Sequence, residues 1–186
     1  MGRAVFESAL IVVGILAGLA VNEWQAGRDR AARASDVLST IRSEVESNLK
    51  LLDEANAYNA EMVAKLRGLV AAKSKTIPPG TYPHGLMNKP QLVSAAWTSA
   101  QTAGVLNDLP IETVLLLGRA YESQRDYLNE MSTLLNNLYA GALQGQANSD
   151  LDPDRIDGVL SDFAAHGRSV ANRYRTALEP SGALVR

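Results

Sequence analysis

The chain contains no cysteine, which excludes disulfides, thiolate zinc sites and thiol nucleophiles. It has two histidines, His84 and His166, each without a second histidine nearby. Positive charge is not in excess: 18 Lys and Arg stand against 20 Asp and Glu, and no basic stripe marks a nucleic-acid partner. Phosphate-binding glycine loops are absent, both G-x-x-x-x-G-K-[ST] and G-x-G-x-x-G, and so is the G-x-S-x-G of a serine nucleophile. Aromatics make up only 5% of residues, while Ala and Leu are abundant, and no segment alternates β-branched residues with period two. These absences leave an all-α chain with no recognisable catalytic set, and therefore neither a cofactor nor a metal is expected.

What is present is a long apolar run. Ala9 to Val21 carries no polar side chain, and the run extends back to Ala4 with only Glu7 and Ser8 interrupting. Eighteen residues lie at the lower edge of the roughly 17–25 needed to cross a bilayer as a helix. Residues 1–24 are therefore expected to be a transmembrane anchor that makes membrane lipid the first partner. A cleaved signal peptide and a buried core helix are the competing readings. Gly14 and Gly18 form a G-x-x-x-G pair that lets another helix approach closely. Trp24 follows the run as an aromatic does at the membrane boundary. Glu7 is read at the opposite boundary, where a carboxylate near a helix N-terminus also suits the helix dipole. Arg28, Arg30 and Arg33 follow the run, against Arg3 before it, so a count of positive charges places the rest of the chain in the cytoplasm.

Residues 7–24, E-S-A-L-I-V-V-G-I-L-A-G-L-A-V-N-E-W, resemble the opening of a family of bacterial single-pass membrane proteins defined only as a domain of unknown function. The matching positions are Glu7, Leu10, Ile11, Val12, Gly14, Ile15, Leu16, Asn22 and Trp24. A second likeness lies at Ala96-Trp97-Thr98 with Gly104, and at Arg119-Ala120-Tyr121 on the helix that follows. The short segment before the apolar run departs from the longer basic leader of many members. The resemblance implies an inner-membrane protein whose domain lies outside the cytoplasm, against the local arginine count, and it implies no activity.

After the anchor, a polar stretch from Asn22 to Arg33 contains no Pro and can continue the same helix. From Ala34 to Lys73, Leu38, Ile41, Val45, Leu49, Leu52, Met62, Val63, Leu66 and Val70 recur at spacings of three and four, with a polar patch near Asn56–Asn59. Residues 74–90 hold four prolines and two glycines and read as a long loop. A short helix is expected over Gln91–Ala103, with Gly104 ending it. A long helix opens at Asp108-Leu109-Pro110 and runs to about Ala142. Gly141–Ser149 is a linker. Asp152 caps a last helix from Pro153 to about Leu178, and residues 179–186 are a tail. The expected architecture is an antiparallel bundle over 25–178, with three long helices and one short one.

Asp150, Asp152, Asp154 and Asp157 do not make an EF-hand loop, because Arg155 and Ser161 stand where Gly and Glu are required. Asp162 and His166 share a helix face but fall short of a closed zinc site. Trp97, Tyr121 and Arg125 are the candidate recognition residues, with Tyr127 as a possible neighbour. The sequence points to a non-enzymatic accessory or scaffold subunit of a bacterial inner-membrane assembly, working through a protein partner or self-association. The alternative is a ligand-sensing helical bundle.

Overall fold

The computed structural model describes residues 2–74, 77, 78, 80, 81, 85, 87–141 and 153–179, with side chains at 13–137 and 156–179 within those ranges. The described residues are helical, without strands. Helix α1 runs unbroken over Gly2–Ala71. Helix α2 spans Ala95–Thr102, a single 3₁₀ turn spans Val105–Asp108, α3 spans Ile111–Gly141 and α4 spans Pro153–Leu178.

At 70 residues, α1 is ~105 Å long, and only part of it belongs to the bundle. The apolar run, the polar stretch and the first bundle helix are thus one rod, because neither Pro nor a helix-stopping side chain interrupts them. The rod ends in a Schellman motif: Ser74 N donates to Leu69 O (3.0 Å) and Lys73 N to Val70 O (2.9 Å). Lys73 takes the left-handed conformation there, at φ +54°, where glycine is usual.

The buried seam of α1 reads Ala34, Ile41, Val45, Asn48, Leu52, Ala55, Asn59, Met62 and Leu66. From Ile41 onward its spacing alternates four and three, as in a knobs-into-holes interface. Helix α4 packs along it in the opposite direction, so that Asp53 pairs with Arg175 (2.7 Å) and Arg67 with Asp157 (3.2 Å). Helix α3 runs parallel to α1 and antiparallel to α4, with Tyr127 stacked on Phe163 (4.6 Å between centroids). Full burial of Ile41, Leu52, Leu66 and Leu117 contributes about 1.5–3 kcal/mol each.

The descending leg between α1 and α3 is half extended chain and half helix. The short helix begins at Ala95 rather than Gln91, because the backbone of the preceding residues is bonded to α1 instead of to itself. Asn59 holds Asn88: its Nδ2 donates to the Asn88 carbonyl (3.4 Å) and its Oδ1 accepts the Asn88 N–H (2.8 Å). Asn48 holds Val93 the same way, at 2.7 and 3.0 Å. Eleven residues of helix and five of extended chain both span about 16.5 Å, so one pair of asparagines fits both ends of the segment. The result is an up-down-up-down bundle whose second member is this strap plus α2. Gly104 ends α2 at φ +70°, as its sequence position suggests.

Among the described residues, which exclude the side chains of 1–12, no helix is long and apolar enough to cross a membrane. The described part of the apolar run, Val13 to Val21, is exposed on every face; Val13, Ile15, Leu16, Leu19 and Val21 are 57–62% exposed. The expected caps and loops at Asp152 and 142–149, most of 75–86, and the tail beyond Glu179 lie outside the described residues.

Candidate functional site

Val93, at the end of the strap, is the node of a buried polar cluster. Its carbonyl accepts from Asn48 Nδ2 and from Gln124 Nε2 (3.3 Å). Gln124 Oε1 in turn accepts from Asn48 Nδ2 (3.3 Å) and from the Tyr174 hydroxyl. One helical turn away, the Glu44 carboxylate accepts the Tyr121 hydroxyl (2.6 Å) and the Ala96 N–H (2.8 Å). Ser94, the N-cap of α2, makes no side-chain cap bond, so a carboxylate from α1 caps that helix. α1, the strap, α2, α3 and α4 are tied together through these groups.

Burial pushes the Tyr121 phenol far above its ordinary value, and the hydrogen bond to Glu44 raises it further. Burial does the same to Tyr174 and Tyr127. All three are protonated at neutral pH, and Tyr121 acts as a fixed donor whose ring orientation is set by Glu44.

On the solvent side of this cluster, α2 and α3 enclose a cleft of about 550 Å³. Trp97 stacks on Tyr121, 5.2 Å between centroids and 13° between planes. Gly118 faces the edge of the buried Trp97 ring; a Cβ there would sit 3.7 Å from Trp97 Cζ2. Arg125, Gln101 and Asn129 stand at the mouth. The Arg125 guanidinium is only loosely held, 3.7 Å from Glu122 and 3.8 Å from Asp126. The three candidates Trp97, Tyr121 and Arg125 therefore line one cleft. The same stripe of α3 continues downward to Ile111 and Leu115, which are 61% and 51% exposed.

The other candidates lie elsewhere. Tyr127 does not join a recognition surface; it is fully buried, between Phe163 and the edge of His166. His166 turns from Asp162 to α3, where its Nδ1 lies 2.7 Å from Glu130. Asp157 serves Arg67 and Ser161, and no group of three metal-ligating side chains occurs among the described residues. Gly14 and Gly18 sit on the isolated part of α1, where an added Cβ would meet nothing within 4 Å. Trp24 is exposed, with the Arg28 guanidinium 5.0 Å over its ring. The Glu7 side chain and His84 lie outside the described residues.

Asn48, Glu44, Gln124 and Gly118 are residues that sequence reasoning passed over, and Asn59 reads there only as part of a polar patch. The 4-3 spacing that assigns the α1 seam also lands on Asn48 and Asn59, which is the one signal that could have found them. Compared with family models, with curated proteins and with solved structures, the chain matches none.

Proposed function

We propose that this protein is a membrane-anchored helical bundle that works by association, as an accessory or scaffold subunit of a bacterial inner-membrane assembly. One observation carries the reading. A helix apolar on all sides belongs in a hydrophobic surrounding, and the Val13–Val21 section of α1 is exposed on every side among the described residues. With the apolar residues that precede it in sequence, the helix from Ala4 to Val21 is ~27 Å long, close to the ~30 Å hydrocarbon core. Trp24 sits at the boundary, and Gly14 and Gly18 offer a contact to a second membrane helix. The polar residues 22–33 hold the bundle about 18 Å clear of the apolar run. The resemblance of residues 7–24 to the single-pass family supports the same arrangement, with the bundle on the periplasmic side.

The test has two parts. The intact chain is first followed through membrane fractionation and carbonate extraction. It stays with the membrane, and Ile15→Arg with Leu19→Arg releases it in folded form. Recovery of the unaltered chain in the supernatant overturns the anchor. The chain is then purified in mild detergent and what accompanies it is identified by mass spectrometry. A stoichiometric partner or a defined homo-oligomer, lost in Gly14→Leu with Gly18→Leu, supports association through the anchor.

The convergence of Trp97, Tyr121 and Arg125 on one cleft favours a second reading, a small-molecule sensor signalling through a partner. Gly118→Leu fills that cleft and abolishes any ligand-dependent thermal shift if the reading holds.

A further inference from the structure

Arg28, Arg30 and Arg33 follow the last apolar residue, Val21, by seven, nine and twelve positions. In this part of α1 residues 27–33 are exposed. Glu23 and Asp29 are close in sequence, yet among the described residues none of the three arginines forms an ion pair. Two of them make contacts that fix their direction. The Arg28 guanidinium lies over the Trp24 ring at 5.0 Å, and Arg30 Nε donates to Ala26 O at 3.3 Å. Both contacts run back by four residues, towards the apolar run, as helical side chains tend to tilt. At 100° per residue Arg30 and Arg33 lie about 60° apart on one side of the helix and Arg28 lies on the other, so positive charge is presented on two sides of α1.

The Cα positions lie roughly 10, 13 and 18 Å beyond Val21. Side chains reaching back towards the run bring Arg28 and Arg30 to the depth of the headgroups. Arg33 remains within about a Debye length of that surface. We infer that Arg28, Arg30 and Arg33 bind the phosphate groups of anionic phospholipids around α1, with Trp24 holding Arg28 at the interface. A guanidinium fork matches a phosphate bidentately, and each such cation near an anionic surface has a substantial effect on its lipid surroundings. This inference rests on the anchor reading above.

The test is selective quenching. Trp97→Phe leaves Trp24 as the only tryptophan. The full chain is reconstituted in vesicles of equal phosphatidylglycerol and phosphatidylcholine, with chain-brominated lipid as either component. Quenching of Trp24 is expected to be about threefold stronger when the anionic lipid carries bromine. The ratio falls to one in Arg28→Gln, Arg30→Gln, Arg33→Gln, and also in ~1 M salt, where the screening length drops to about 3 Å. Equal quenching by both lipids with all three arginines in place overturns the inference and leaves the anchor standing. An anionic preference that survives the triple substitution also overturns it. No quenching by either lipid means that α1 is not in the bilayer, and the anchor reading fails with it.

Discussion

Asn48 occupies a seam position where an apolar side chain would pack, and it is completely buried. Its amide there replaces the strand partner that Val93 lacks, satisfying one backbone N–H and one carbonyl. Asn48→Leu keeps the volume but leaves the Val93 N–H without its partner, the Val93 carbonyl with Gln124 alone, and Gln124 Oε1 without the Asn48 amide. It is expected to lower stability by about 2–3 kcal/mol, since an unsatisfied buried donor or acceptor costs about 1–3 kcal/mol. Asn59→Leu, whose carbonyl contact is longer at 3.4 Å, costs less, about 1 kcal/mol. Urea unfolding checks both, and an Asn48→Leu chain as stable as the parent would show that the Asn48–Val93 bonds do not hold the strap. Gly167 is constrained differently. A Cβ there would fall on Asn56 Oδ1 and come within 3.3 Å of the Tyr127 ring. The Asn56 side chain can turn away, but the fully buried ring cannot. Gly167→Ala therefore costs about 1–3 kcal/mol by overpacking. None of this was visible from residue type alone. Asn59 reads as part of a polar patch, Asn48 marks no pattern, and the apolar spacing puts Leu49 in the seam place that Asn48 fills.

Helices were the most legible level. The spacing of apolar residues located α3 and α4, Gly104 located the end of α2, and the absence of Pro from 22–33 allowed the continuous rod that α1 forms. The sequence expectation for α2 begins four residues early, because the signal for its boundary lies elsewhere in the chain. The strap backbone is bonded to α1, and the cap is Glu44, fifty-two residues upstream of the N–H that it accepts. Long-range caps leave no local pattern. Of the candidate cleft, Trp97, Tyr121 and Arg125 were readable as large polar-tipped side chains, whereas Gly118, which opens the cleft, carries no chemistry to notice. Glu44→Gln weakens both the Ala96 cap and the Tyr121 bond, each a charge-assisted contact worth about 1.5–3 kcal/mol. Amide exchange in Trp97–Ala100 is expected to accelerate more than in α3 or α4, and uniform acceleration would mean that α2 is not held separately. At the other end, the left-handed Lys73 is a strained choice for a helix terminus. Lys73→Gly is expected to raise stability by about 0.5–1 kcal/mol. A loss of stability would show that the lysine side chain contributes more than its backbone costs.

At the scale of the whole molecule, three buried phenols from α3 and α4 give the bundle an alkaline limit. Tyr121, Tyr127 and Tyr174 all have folded values raised by burial. Below an unfolded value of about 10, both states keep the protons and stability does not change. Above it the unfolded chain releases protons that the folded chain retains, so unfolding becomes easier as pH rises. The fall is about 1.4 kcal/mol per pH unit for each phenol, or about 4 for three. Urea midpoints from pH 7 to 11.5 should be level to about pH 9.5 and then drop, with a shallower drop in Tyr174→Phe. If α1 is the proposed anchor, the side on which the bundle lies is the larger question, and two readings oppose each other there. Three arginines after the apolar run against Arg3 before it favour the bundle in the cytoplasm, while the likeness of residues 7–24 to the single-pass family favours the periplasm. A difference of two charges is a small bias, so the periplasmic arrangement is the prediction. The absence of cysteine makes it directly measurable, because one introduced thiol is the only one. Lys50→Cys places that thiol on an exposed position of α1 inside the bundle, and Leu16→Cys places one in the apolar section. In intact spheroplasts an impermeant maleimide should label Cys at the first site and not at the second. Protection of the first site until the cells are lysed would instead put the bundle in the cytoplasm. Labelling at the second site in intact spheroplasts would take α1 out of the bilayer.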